Sequence, residues 1–162
     1  MKAMRYKVGI TAVVGLVAIG AMRSAPRPPQ SSETTRSVWD GVYTPDQAKR
    51  GADEYSANCS KCHGADLLGV GEAAPLTGAT FLANWDGLTL GDLDERIFHT
   101  MPQNNPGTLS RQQVADIITH ILEFDGFPAG KTDLDSKVEM LNQIRFEAQK
   151  PKPKSGSDSP GK

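Results

Sequence analysis

The sequence predicts an all-α domain: three core helices joined by long Gly/Pro-rich loops, with an additional C-terminal helix. Three observations carry that expectation. Helix-start chemistry recurs along the middle of the chain, apolar residues there repeat at spacings of three and four, and strand-like alternation is almost absent.

The first helix is announced by "TPDQ". Thr44 is placed as N-cap, Pro45 stands at the first helical position where its missing N–H costs nothing, and Gln47 stands where a capping box closes. The helix is expected to run to about Ala57. The second is "LGDLDERIFHT", in which Leu90, Leu93, Ile97 and Phe98 form one apolar stripe. The third, "SRQQVADIITHILEF", has Ser110 as N-cap and Gln113 at the capping-box position, and offers Val114, Ile117, Ile118, Ile121 and Leu122 to a core. "GFPAG" at 126–130 stops it. A fourth helix is expected over about Asp133–Lys150, with a thinner stripe of Leu134, Val138, Leu141 and Ile144. Three short helices make a thin core, and small domains of that kind usually enclose a staple.

The flanks read differently. Lys2, Arg5 and Lys7 precede an uncharged run, Val8–Met22, that as a helix would be roughly 22 Å long, short of a hydrocarbon core of roughly 30 Å. Residues 1–23 therefore read as a signal peptide or an N-terminal membrane anchor, and either reading places the domain in the periplasm or on the outer face of the cytoplasmic membrane. Residues 24–37 form a Pro- and Ser/Thr-rich linker expected to be disordered, 38–130 the domain, 131–150 the C-terminal helix and 151–162 a disordered tail. Charge follows the same division. Residues 38–130 hold five Lys/Arg against thirteen Asp/Glu, while both flanks are net basic. An acidic globule argues against nucleic acid as a partner and favours a protein with a basic docking face.

The chemistry sits in "NCSKCHG", which holds both cysteines of the chain, Cys59 and Cys62, followed at once by His63. A disulfide between them would close a very small loop and stabilise little. A thioredoxin-like pair needs a βαβ context that is missing here. A zinc site would have to recruit His99 or His120 and use Cys62 and His63 as adjacent ligands, which tetrahedral sites rarely do. Cys-x-x-Cys-His is also the attachment signature of c-type haem. Thiols at i and i+3 face the same side of a helical turn, so each can form a thioether with one haem vinyl, and His63 then projects toward the iron.

With these residues in view, Val38–Gly130 resembles the class I c-type cytochromes: an N-terminal helix, CxxCH, a loop with a proline, a middle helix, a methionine loop and a C-terminal helix. The resemblance implies a small cytochrome c-like haem domain carrying one haem c on Cys59 and Cys62, with His63 as an axial ligand. From "APL" it implies that the Pro75 carbonyl accepts a hydrogen bond from His63 Nδ1–H. From "TMPQNNPG" it implies Met101 as the sixth ligand. Independently, Met101 is the one methionine in a loop between two amphipathic helices; His99, two residues away, is the weaker alternative. The resemblance also reads Gly51 and Tyr55 as the place where first and last helices cross, with His120 standing where an aromatic residue is expected. His120 is then either a structural histidine or a redox-linked proton site. Trp85 reads either as an indole donor to a haem propionate or as simple packing at the haem edge, and Tyr43 and Phe81 are further candidates for the haem surroundings. Together, "VWDGVYTPDQAKRG", "MPQNNPGTLS" and "FDGFPAG" are similar to monohaem cytochromes that serve quinoprotein dehydrogenases or form the haem module fused to them. The implied role is electron carriage without catalysis, with a dehydrogenase as donor and another cytochrome or an oxidase as acceptor. The alternative is a cytochrome subunit of an oxidoreductase complex.

Overall fold

The computed structural model describes residues 36–152. The expected signal peptide or anchor, all of the linker before Arg36 and the tail from residue 153 lie outside the described residues. Among those described, no helix is long and apolar enough to cross a membrane.

The elements run β1 (Arg36–Ser37), a 3₁₀ turn at Val38–Asp40, α1 (Pro45–Asn58), α2 (Ser60–His63), α3 (Gly78–Trp85), α4 (Leu90–Thr100), α5 (Arg111–Phe124), α6 (Val138–Leu141) and β2 (Ile144–Arg145). Among the described residues the fold is all-α apart from one short parallel pairing, Arg36 with Ile144 and Ser37 with Arg145, and an isolated antiparallel bridge between Thr89 and Arg145. Three helices start where the local chemistry places them. Thr44 accepts from the Gln47 N–H, and Ser110 and Gln113 cap each other reciprocally, as do Thr89 and Asp92. Gln47 completes no capping box. Its side chain is buried and reaches Asp116 Oδ1 at 3.0 Å and the Leu134 carbonyl at 3.0 Å, because those buried groups need a partner more than a solvated first turn does.

α1 crosses α5 at Gly51. A Cβ there would lie 1.8 Å from the Asp116 carbonyl oxygen, so only hydrogen fits between the two backbones. Around this crossing Ala48, Tyr55, Val114, Ile117, Ile118 and Ile121 are buried, and Leu90, Leu93 and Ile97 of α4 close the same core.

Two expectations are corrected. The helix over Asp133–Lys150 is one turn, α6, followed by the extended residues of β2. Leu134, Leu141, Ile144 and Phe146 are all buried, but not on one helical face. Ile144 and Phe146 would point roughly 200° apart on a helix, whereas extended backbone puts residues i and i+2 on one side. Residues 144–147 form an extended strap held by hydrogen bonds: Phe146 N–H donates to Leu88 O at 2.8 Å, Gly87 N–H to Phe146 O at 2.9 Å and the Trp39 indole Nε1–H to Glu147 O at 2.9 Å. Phe146 sits edge-on to Phe81 and Phe127, with centroids at 5.9 and 5.3 Å. Residues 131–150 thus complete the domain's own core, and Ser37, placed in the linker, is buried in β1. The second correction is α3, a helix where a loop was expected.

Candidate functional site

α1 ends one residue before the first thiol. Cys59 is its C-cap, with its N–H on Tyr55 O at 2.8 Å, and α2 is the single turn that follows. Cys62 N–H and His63 N–H both return to Cys59 O, at 3.1 and 2.9 Å. The two thiols therefore stand one helical turn apart, and both are free. Cys59 is half-buried, and burial pushes its thiol up to about 11, with Cys62 and Glu54 adding to the shift. A protonated thiol is a poor nucleophile for adventitious oxidation.

His63 is oriented by its own neighbourhood. Its Nδ1 lies 2.8 Å from the carbonyl oxygen of Ala74. A carbonyl only accepts, so Nδ1 carries a proton, and in the neutral ring it is then Nε2 that holds the lone pair a metal can take. The accepting carbonyl is Ala74's and not that of Pro75, a correction of the expected partner. The proline ring restricts the residue before it to extended backbone, which fixes Ala74, while Leu76 N–H is drawn to Leu67 O at 2.7 Å. Tyr55 adds a tie that the sequence did not reveal: its hydroxyl donates to Gly64 O at 2.7 Å, linking α1 to the residue after His63.

Met101 is the C-cap of α4, with its N–H on Ile97 O at 2.9 Å, and its side chain is half-buried against the core. The loop that begins there closes at Ser110. Arg111 pins the two ends. Its guanidinium pairs with the fully buried Asp94, reaches Glu95 at 2.6 Å and lies over the Phe98 ring, 3.7 Å from the centroid. Burial pushes the Asp94 carboxyl up and Arg111 works against it, with a net upward result. His99 is exposed on α4 and pairs with Glu95 at 2.9 Å. Trp85 closes α3, half-buried, 6.2 Å from Phe81 between ring centroids. Tyr43 is buried with its hydroxyl on Phe127 O at 2.7 Å, so its polar end is committed to the fold. His120 packs on Tyr55 at 5.1 Å; its Nδ1 is buried without a protein partner, and burial pushes its pKa down.

Among the described residues, no three His, Cys, Asp or Glu side chains come together as a metal-binding group. The donor set fits haem c instead: two thiols one turn apart and an imidazole with a directed lone pair. The half-buried side chains packed on the core include Cys59, Leu76, Leu82, Trp85, Phe98 and Met101. Such partly covered apolar groups are what a flat apolar ligand would finish burying.

Residues 46–121 match a family model described as cytochrome c oxidase, cbb3-type, subunit III. No curated protein matches the chain. The crystal structure of the sulfane dehydrogenase SoxCD from Paracoccus pantotrophus aligns over 80% of this chain and 68% of its own, at 21% identity and a TM-score of 0.45. A likeness that loose carries no inference.

Proposed function

With residues 46–121 identified as a class I c-type cytochrome domain, which binds haem c covalently, we propose that this chain is an exported one-electron carrier. In this reading it takes electrons from a periplasmic dehydrogenase and passes them to another cytochrome or an oxidase. Cys59 and Cys62 would hold the porphyrin by thioethers, His63 Nε2 and the Met101 sulfur would ligate the iron, and Trp85 would border the haem. The observation that carries the assignment of His63 is its Nδ1 bond to Ala74, which fixes the tautomer that exposes Nε2 as a donor.

When bound, haem c supplies an Fe(III)/Fe(II) couple that gains one electron from the donor and loses one to the acceptor. The protein's residues set the terms of that exchange. The Nδ1–H bond raises the basicity of His63, and a thioether as the other ligand would favour a higher potential than a second histidine. If His63 and Met101 both ligate the iron, no position would remain for substrate, which is why carriage rather than catalysis is proposed. The acidic surface steers a basic partner, so transfer rates should fall as salt rises.

The test is the optical spectrum of protein matured in a host that attaches c-type haem. A covalent low-spin haem with the weak far-red iron–sulfur band is expected, and Met101→Ala should lose the band and bind carbon monoxide when reduced. A band that survives Met101→Ala sinks Met101 as ligand. Recovery of the chain in the cytoplasmic fraction of its host sinks export.

A further inference from the structure

α3 has no N-terminal cap of its own: the Thr77 side chain makes no capping bond to it. The cap comes from Asp125, at the C-terminal end of α5. Asp125 Oδ1 accepts from the Thr77 hydroxyl at 2.7 Å and from the Gly78 N–H at 3.0 Å. The second oxygen, Oδ2, is buried with no partner. This carboxylate therefore gives up part of its solvation to hold two donors at one point of the loop, and removing it would free both.

That point lies three residues from the carbonyl that orients His63. Between Ala74 and Thr77 stand only Pro75, whose φ is fixed, and Leu76, whose N–H is tied to Leu67 O at 2.7 Å. Few soft dihedrals separate the two ends, so a shift at Thr77 has little backbone in which to be absorbed before it reaches Ala74 O.

We propose that Asp125 is a positioning residue for His63, acting through Thr77 and Gly78 to hold the Ala74 carbonyl in line with Nδ1–H. This rests on His63 as an iron ligand, proposed above. A well-held Nδ1–H bond makes the imidazole a stronger donor and favours ferric iron. Loosening it should raise the reduction potential and speed exchange of the Nδ1 proton with solvent.

The experiment uses the full-length, haem-loaded protein and compares Asp125→Ala with Asp125→Asn, which keeps an oxygen at the Oδ1 position. Reduction potential and the exchange rate of the His63 Nδ1 proton by NMR are read together. Asp125→Ala should shift the potential upward and accelerate exchange, and Asp125→Asn should return both toward the parent. A variant that melts earlier but keeps the parent's potential and exchange rate reduces Asp125 to a fold contact and overturns the proposal. Asp125→Asn no closer to the parent than Asp125→Ala overturns it as well. Should Asp125→Ala not fold, Thr77→Val removes one of the two donors at similar volume. It should move both readouts the same way by less, and no movement overturns the proposal. If the parent's own spectrum shows His63 not bound to iron, the underlying ligand assignment fails instead, and the two failures are told apart.

Discussion

Replacing Gly51 by alanine pits two effects of opposite sign against each other. On an exposed helix face the change stabilises by about 1 kcal/mol, because alanine loses less backbone entropy. Here the new Cβ would fall 1.8 Å from the Asp116 carbonyl oxygen and 2.6 Å from its carbon, both backbone atoms of α5. No rotamer change relieves a backbone collision. Restoring ordinary contact requires α1 and α5 to part by roughly 1.5 Å, enough to forfeit more than half of the dispersion at each contact across the crossing. Overpacking of this kind costs about 1–3 kcal/mol and sometimes more. With rigid atoms on both sides the upper end applies, leaving a net loss of about 2 kcal/mol after the propensity gain. For a domain of this size that lowers Tm on the order of 10 °C. Urea titration of the haem-loaded protein, followed by far-UV circular dichroism, measures it. Ser56→Ala, on the exposed side of the same helix, serves as the control and should stabilise by about 0.5 kcal/mol. If Gly51→Ala matched or exceeded the parent's stability, the close crossing would be refuted.

Three further outcomes are expected. Arg111→Met strands the buried Asp94 carboxylate and should cost about 3–5 kcal/mol; adding Asp94→Asn should recover part of it in a double-mutant cycle, and full additivity of the two changes would refute the pairing. Phe146→Ala should cost about 3–5 kcal/mol by opening a cavity between Phe81 and Phe127, and a urea midpoint unchanged from the parent would mean the strap is dispensable. His120 has its folded pKa pushed below its ordinary value by burial. Between the two values the unfolded chain holds a proton that the folded chain lacks, so stability should fall as pH drops below about 6.5 toward the folded value. His120→Phe should flatten Tm against pH in that window, and an identical slope in parent and variant would refute the assignment.

Local chemistry was legible in the sequence because it is carried by neighbours. Thr44, Ser110 and the apolar stripes of α4 and α5 act over three or four residues, so the spacing of letters is the spacing of atoms. CxxCH is legible for the same reason, since one helical turn sets its geometry. Gly51 was readable as the place where the first and last helices cross, although the Asp116 carbonyl that it meets there was not.

What the tertiary structure decided depends on groups far apart in the chain. α3 went unread because its cap, Asp125, comes from 47 residues away. The strap was taken for a helix because Leu134, Val138, Leu141 and Ile144 carry helical spacing; only the free backbone of Gly87 and Leu88, and a place between Phe81 and Phe127, make extended chain the better choice. The carbonyl facing His63 is Ala74's rather than Pro75's because pre-proline geometry and the Leu67–Leu76 bond aim it there. Sequence alone determined the helices that cap themselves and the single turn that carries CxxCH. The fold decided which distant groups finish the caps and the core and which carbonyl orients His63, since hydrogen bonds and packing act through space.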